Sequence, residues 1–424
     1  MTQATDAHIG YWQLLYSNQR VRRLWSAQVI SELGDWLNFV ALLQLINKFS
    51  ASAQAAGGLI IIQMLSMVVF SPLGGILADR FNRRTIMIVA DLIRAVVVLG
   101  FLLIDQPNEL WLLYLLAGIQ FSVTALFEPA RAALVPSLAK REELVTTNAL
   151  TSVTWSIILA IGGTLGGVIA GLLSNAAAFI IDAVSFVISA LLLVGLDCPV
   201  SLERENRSAR SDGGLSTALS FLRKNPRVLA VLLVKSGLCV TAGGVWLLSV
   251  VYGQRVFPVG DGALSVGLLY GACGIGSVVG ATLTSRLFYQ ATMKPVRAIM
   301  WAFAWRSVFF LCWGLAPNIG LVALAIICVN ACGSLLWVVS TTLLQRLTPD
   351  EIRGRLFALE FAALTFTMAL SIWLIGRALD VWQFSPSHTT IATALAAVVI
   401  AAIWFCVLIR WSAWQRPSEY GTQD

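Results

Sequence analysis

Charge is what this chain has least of. Asp, Glu, Lys and Arg together make up 12% of its 424 residues, against about 25% in soluble domains. With 58% hydrophobic residues and a mean hydropathy of +0.80, it carries more apolar surface than one water-soluble core can hide. Histidine is limited to His8 and His388, both outside the long apolar runs, which excludes a His-based catalytic site at membrane depth. No GxxxxGK(S/T) motif occurs, which argues against an ATP-driven pump. Gly271-Ala-Cys-Gly274-Ile-Gly276 imitates a nucleotide loop, but it sits mid-run, where glycine is packing material. The 7 cysteines are scattered, with no CxxC or Cys/His cluster, so neither a metal site nor a disulfide framework is expected. The first 20 residues have no apolar core, so no cleavable signal peptide is expected.

What the chain has in quantity is apolar runs of bilayer length. Twelve are read at roughly 24–47, 57–77, 85–104, 110–129, 148–173, 176–196, 228–252, 263–287, 297–316, 319–343, 355–378 and 390–410. The net charge of +7 follows their connections. Basic residues gather before span 1, in the even-numbered loops and after span 12, whereas the other side has only Lys48, Arg255 and Arg377. This is the positive-inside bias, and it predicts a multi-pass protein of the cytoplasmic membrane with both termini in the cytoplasm. The basic residues thus read as topology signals, not as a nucleic-acid patch.

Residues 197–226 break the pattern with charge, Ser, Gly and Pro. They divide the chain into an N-terminal six-helix half (1–196), a cytoplasmic linker (197–226) and a C-terminal half (227–424). Leu215–Arg223 has the pattern of a short amphipathic helix lying along the cytoplasmic face. The halves look repeated. Gly74-Gly-Ile-Leu-Ala-Asp-Arg80 aligns with Gly280-Ala-Thr-Leu-Thr-Ser-Arg286, and Leu138–Leu150 aligns at a similar offset with Leu347–Leu359. Parallel six-helix repeats around a midplane cavity are a transporter architecture.

Gly75-Ile-Leu-Ala-Asp79-Arg80-Phe-Asn-Arg83-Arg84 resembles the signature GxLaDrxGRrx of the major facilitator superfamily. Asn82 stands where Gly is usual, and Asn tolerates a left-handed backbone better than most residues. Gly34-Asp35, Asp91-Leu-Ile-Arg94, Phe127-Glu-Pro-Ala-Arg131 with Leu134-Val-Pro136, Ser185-Phe186 and Arg353-Gly-Arg355 are similar to the macrolide-efflux and siderophore-exporter branch of the drug:proton antiporters. Gly162-Gly163-Thr-Leu-Gly166-Gly167 resembles the antiporter signature GPxxGG, with Gly163 in place of Pro. It also reads as overlapping small-xxx-small packing steps. The resemblance covers nearly the whole chain and implies an all-α fold of twelve transmembrane helices in two pseudo-symmetric bundles around a central cavity.

The ionisable residues within spans are Glu32 and Asp35 (span 1), Asp91 and Arg94 (span 3), Asp182 (span 6), Lys235 (span 7) and Arg306 (span 9). Each costs about 2.5–3.5 kcal/mol at a helix centre, so they must pair, take up protons or face water. Glu32 and Asp35 share one helix face. Lys235 lies at nearly the same depth on span 7, about 13 Å in at about 1.5 Å per residue. Lys235 is expected to face the Glu32/Asp35 pair, either as a proton-coupling site or as a fixed ion pair. Asp182 is a second protonation candidate. Arg306 attracts an anionic substrate group, pairs with Asp182 or snorkels.

The resemblance also implies a cytoplasmic gate. Asp79 would cap the start of span 11 near Gly354 and Arg355. Arg83 or Arg80 would pair with Glu128, and Gly75, Arg84, Asp91, Arg94 and Arg131 would complete the network. Its other reading is a static surface network. Trp36, Trp246 and Trp337 lie in spans that line the cavity in this superfamily, and they either stack on an amphipathic solute or pack against helices and lipid.

Together these features predict a secondary transporter and not an enzyme. It is expected to act as a monomer, with no cofactor and no metal, using the proton gradient to export an amphipathic drug-like, macrolide-like or siderophore-like solute. A lysophospholipid flippase or importer of the same fold, and a sensor that binds without transporting, are the alternatives.

Overall fold

The computed structural model describes residues 10–50, 52–140, 142–196, 215–289 and 295–413. Most of the linker, 197–214, lies outside the described residues, as do His8 and the C-terminal end after residue 413. The elements are α1 (Tyr11–Ser17), α2 (Gln19–Ser50), α3 (Ala53–Arg80), α4 (Arg83–Gly100), α5 (Leu110–Leu138), α6 (Leu144–Leu172), α7 (Asn175–Val194), α8 (Leu215–Lys224), α9 (Pro226–Val251), α10 (Ala263–Tyr289), α11 (Pro295–Gly314), α12 (Ile319–Leu347), α13 (Asp350–Asp380) and α14 (Pro386–Ala413). Among the described residues, 12 helices are long and apolar enough to cross a bilayer. They correspond in order to the twelve runs read from the sequence.

The helices begin where the chain supplies caps. The side chains of Ser52, Asn82, Ser174 and Asn318 accept from the backbone N–H groups of Ala55, Thr85, Ala177 and Leu321, satisfying donors that a helix start leaves open. Asn82 has φ −64° and ψ 115°. It works as an extended N-cap of α4, and the left-handed turn expected at this position does not form. A left-handed residue is needed at Gly262 (φ +90°), where a Cβ would lie 2.9 Å from both Gln254 Cα and Gly253 O.

Burial is inverted relative to a soluble protein. Val96, Leu103, Leu191 and Leu395 are exposed, while Asp91, Arg94, Asp182 and Arg306 are buried. The outer surface suits hydrocarbon, and the polar groups must satisfy one another inside.

The first compact unit holds the first six spans together with Leu247–Ile275. In it α2 packs on α6 and α7, α3 on α5, and α4 on α5 and α7. The second unit comprises the described residues of Asn206–Trp246 and Gly276–Asp424, with α11 against α12 and α14. The packing groups the end of α9 and the first half of α10 with the first six spans, so it does not follow a division at the linker alone. Helix α8 forms where the amphipathic segment was read. Its Ala218 and Leu222 join Val228, Val231, Leu232, Leu344 and Leu356 in one buried cluster.

The repeat is visible in packing. A Cβ on Gly74 of α3 would lie 2.8 Å from Ala125 O on α5, and one on Gly280 of α10 would lie 2.7 Å from Ala331 Cα on α12. The aligned glycines thus make the same close approach between spans 2 and 4 and between spans 8 and 10.

Candidate functional site

Four spans of the first unit send polar side chains to one place. On α4, Arg94 donates to Asp91 Oδ1, one helical turn back. Arg94 Nη1 also lies 3.5 Å from Asp35 Oδ2 of α2. The guanidinium is held between the rings of Phe127 and Phe186, 4.7 and 4.2 Å from their centroids; such cation–π contacts partly replace hydration. Ser189 Oγ of α7 donates to Asp91 Oδ2 at 2.6 Å. From α5, Gln120 Nε2 donates to Asp35 Oδ1 at 3.3 Å, and its Oε1 accepts from Asn38 Nδ2 at 2.9 Å.

Asp182 completes the cluster from α7. It accepts from Ser185 Oγ through Oδ1 at 3.3 Å, and Asn38 lies beside it. Its Oδ2 is buried with no hydrogen-bond partner among the described residues, as is Asn38 Oδ1. Gly34 makes this convergence possible. A Cβ there would collide with Ser185 Oγ and Asp182 Oδ1. The Asp35 side chain is 29% exposed, against 2% and 0% for Arg94 and Asp91, so Asp35 is the accessible end of a buried chain of acids.

A second network lies nearer the start of α2. Gln28 Nε2 donates to Glu32 Oε1 at 2.8 Å, and Arg131 Nη1 donates to Gln28 Oε1 at 3.0 Å. Arg131 Nη2 holds Glu128 Oε2 at 2.6 Å. Glu128 was expected to pair with Arg83 or Arg80, but Arg131 of its own helix takes it. Arg83 instead donates to Ala133 O at 2.7 Å and Ala78 O at 3.3 Å, tying the signature loop to the end of α5. Arg84 donates to the Leu193 and Val194 carbonyls at the end of α7. Asp79 and Arg80 are exposed, and a Cβ on Gly75 or Gly354 would meet open space. The crowded glycine of the signature is Gly74. Arg353, next to the expected Gly354–Arg355 cap, donates to Thr348 O at 3.1 Å.

In the second unit, Lys235 Nζ donates to Glu360 Oε2 of α13 at 2.8 Å. The expected partner of Lys235 was the Glu32/Asp35 pair; an acid of its own unit takes that place, while Asp35 engages Arg94. The ammonium lies 4.5 Å from the ring centroid of Trp337 and 5.8 Å from that of Phe357. Trp337 is thus a wall of the Lys235 site. Arg306 donates to Thr241 Oγ1 at 2.8 Å and to Val329 O at 2.5 Å, and it is buried, so it does not snorkel. Trp36 packs 5.8 Å from Tyr270, centroid to centroid. Trp246 is half-buried.

The glycines of α6 serve two neighbours. Gly162 and Gly166 face Trp36 of α2, where added Cβ atoms would come within 2.9 Å of its atoms. Gly163 faces Tyr270 Cβ at 2.8 Å, and Gly167 faces Gly267 Cα at 2.9 Å, both on α10. Thr164 Oγ1 bonds Ala160 O at 3.1 Å and Gly267 O at 3.4 Å. Gly271 and Gly274 close the same seam against Thr164 and Ala160, so the imitation nucleotide loop is helix packing.

Reasoning from sequence missed Glu360, Gln120, Asn38 and Ser189. Glu360 lies just past Arg353 and Arg355 and resembles an interfacial charge. The available signal was that a lone lysine at membrane depth requires an acid. The neutral residues carry no charge to draw attention.

The chain matches the transmembrane secretion effector family model over residues 14–420. It is 27% identical to the MFS-type transporter YfiS of Bacillus subtilis strain 168, over 84% of this chain and 86% of that protein. It is 26% identical to the enterobactin exporter EntS of Escherichia coli O1:K1, over 93% of each. Among solved structures it resembles a bacterial homologue of the human lysosomal transporter Spinster in an inward-facing, unoccupied conformation, with a TM-score of 0.73, 14% identity and coverage of 95% of this chain and 98% of that one. With twelve spans, two polar clusters inside them and a family match along almost its whole length, the chain belongs to the transmembrane secretion effector family and is a membrane transporter of the major facilitator type.

Proposed function

We propose that this protein exports an amphipathic solute in exchange for protons, working as a monomer in the cytoplasmic membrane with both termini in the cytoplasm. The observation that carries the reading is the gathering of Asp35, Asp91 and Asp182 around a single guanidinium, Arg94. Arg94 balances one acid. With all three ionised, the cluster would hold excess negative charge in a medium that solvates it poorly. An uncompensated buried charge costs several kcal/mol, a large part of a net stability of about 5–15 kcal/mol. Taking up a proton removes that cost, and losing it requires the cluster to open towards water. Asp35, the partly exposed member, is the exchange point, and Asp182 is the store.

The positive-inside distribution supports the orientation. The 26% identity to an enterobactin exporter supports a siderophore-like or comparably large amphipathic solute. The exposed Asp79 of the signature loop is the proposed cytoplasmic latch. A two-state transporter works only if proton and solute bind its states unequally.

The test is reconstitution in liposomes with an imposed pH gradient and a panel of macrolides, siderophores and lysolipids. Uphill movement of a macrolide or siderophore that collapses with a protonophore is expected. Flux that ignores the gradient would end the proton-coupled reading, and movement of lysolipids alone would replace export with lipid flipping.

A further inference from the structure

The end of the short helix α1, the start of α2 and the end of α5 border a cleft apart from the polar clusters described above. It measures about 420 Å³ and is lined by Ser17, Asn18, Arg20, Arg23, Lys140 and Glu143, among others. Its floor is built. Asn18 Nδ2 donates to Leu138 O at 3.0 Å and to Glu143 Oε2 at 2.8 Å. Glu143 Oε2 also accepts from the Lys140 backbone N–H at 2.9 Å. The Glu143 carboxylate is therefore turned inward onto amide groups, and Glu143 is 4% exposed. Arg20 and Lys140 stand exposed at the rim, with Arg23 half-buried between them. The rim of the cleft is thus cationic, with Lys140 and Arg20 outermost, while Arg23 Nη1 donates to Gly195 O and Ser17 Oγ to Leu14 O.

Beside the cleft, α1 is mounted in an unusual way. Leu14 and Leu15 are buried in the bundle core together with Val21, Leu24 and Leu138. Among the described residues the rings of Tyr11, Trp12 and Tyr16 stand exposed, with 72% and 78% exposure for the last two. Tyr and Trp at the ends of membrane spans sit at headgroup level, and α1 lies at that level by connectivity, since it leads directly into α2 and adjoins the end of α5. Rings at headgroup depth next to a cationic cleft define the occupant by charge and by location.

We infer that this cleft holds the headgroup of an anionic phospholipid, with its phosphate against the cationic rim of Arg20 and Lys140, beside Arg23, and its acyl chains against the exposed face of α1. Arginine and lysine both bind phosphate, the first through a planar fork and the second as a point charge. Free phosphate offers the same oxygens but has no use for the aromatic face, so the site selects lipid over inorganic phosphate. The inference rests on membrane insertion alone and not on proton coupling or solute identity.

The experiment is native mass spectrometry of the full-length purified chain, equilibrated with equal amounts of phosphatidylglycerol and phosphatidylcholine. Preferential retention of phosphatidylglycerol is expected, reduced about tenfold in an Arg20→Gln/Lys140→Gln double variant. Both side chains are exposed, so folding is preserved, and circular dichroism checks it. A Trp12→Ala/Tyr16→Ala variant tests the aromatic face separately and is expected to weaken retention with the cations intact. Equal retention of the two lipids, or unchanged selectivity in the Arg20/Lys140 variant, would overturn the site. Displacement of the lipid by millimolar inorganic phosphate, or retention that ignores the Trp12/Tyr16 change, would make it a phosphate pocket and overturn the lipid assignment.

Discussion

Lys235 Nζ reaches Glu360 Oε2 at 2.8 Å although the two residues are 125 positions apart, and both side chains are shut off from solvent. Removing one partner of a buried ion pair strands the other and costs about 3–5 kcal/mol, whereas replacing both with well-packed apolar groups is close to neutral. Lys235→Met and Glu360→Leu are each expected to lower the melting temperature of the purified protein, and the double variant to recover most of the loss. A double variant as unstable as the worse single one would show that the pair is not the main contact of either residue.

Asp182 is fully buried beside the Asp35–Arg94–Asp91 chain, with one oxygen unpartnered. Asn has nearly the same shape as a neutral carboxylic acid and carries no exchangeable acidic proton. Asp182→Asn is therefore expected to insert and fold but to reduce pH-driven solute accumulation to the level seen with a protonophore. Asp91→Asn removes the acid in direct contact with Arg94 and is expected to lower stability as well as flux. The measurements are accumulation in acid-loaded and pH-matched vesicles and thermal unfolding in detergent. Full gradient-driven accumulation by Asp182→Asn would remove this residue from the coupling path.

The twelve spans were legible because bilayer length and apolarity leave a signal in every run, and the glycine repeat was legible because close backbone approach admits little else. The i,i+3 relation of Asp91 and Arg94 could also be read directly. Partnerships across helices could not. The helix-face argument could not choose among the acids of other spans, and Glu360 was masked by the arginines before it. Asn82 misled for a local reason: the same short polar side chain that tolerates a left-handed turn also caps a helix, and here the open N–H of Thr85 decided the outcome.

Gly34 is where a single added methyl group would be felt most directly in the polar cluster. Its Cβ would run into Ser185 and Asp182 on α7, and overpacking of a filled interior costs about 1–3 kcal/mol. Gly34→Ala is expected to be less stable than the parent and to separate α2 from α7, disturbing coupling. Ser185→Ala in the same chain removes one of the two colliding groups and is expected to restore part of the stability. If Gly34→Ala melts with the parent, the approach of α2 to α7 is looser than the geometry requires.

The seam between α6 and α10 makes the last prediction. Gly167 and Gly267 meet backbone to backbone, with a Cβ on either falling within 2.9 Å of the other's Cα, and Gly271 and Gly274 extend the contact. Such a seam leaves no room for a side chain, and Thr164 bonds the Gly267 carbonyl across it. In the orientation proposed above it would lie towards the extracytoplasmic ends of both helices, where an inward-open transporter must be closed. Gly167→Leu and Gly267→Leu are expected to hold the two helices apart, to leave insertion intact and to cut flux at least tenfold, about 1.4 kcal/mol on the rate-determining step. The check is solute flux together with labelling of a cysteine placed at Ala263, buried in the parent, by a membrane-impermeant thiol reagent from outside. Labelling should rise as flux falls. Normal flux with either leucine would mean that α6 and α10 never need to close, and the glycines would then be packing without a part in the transport cycle.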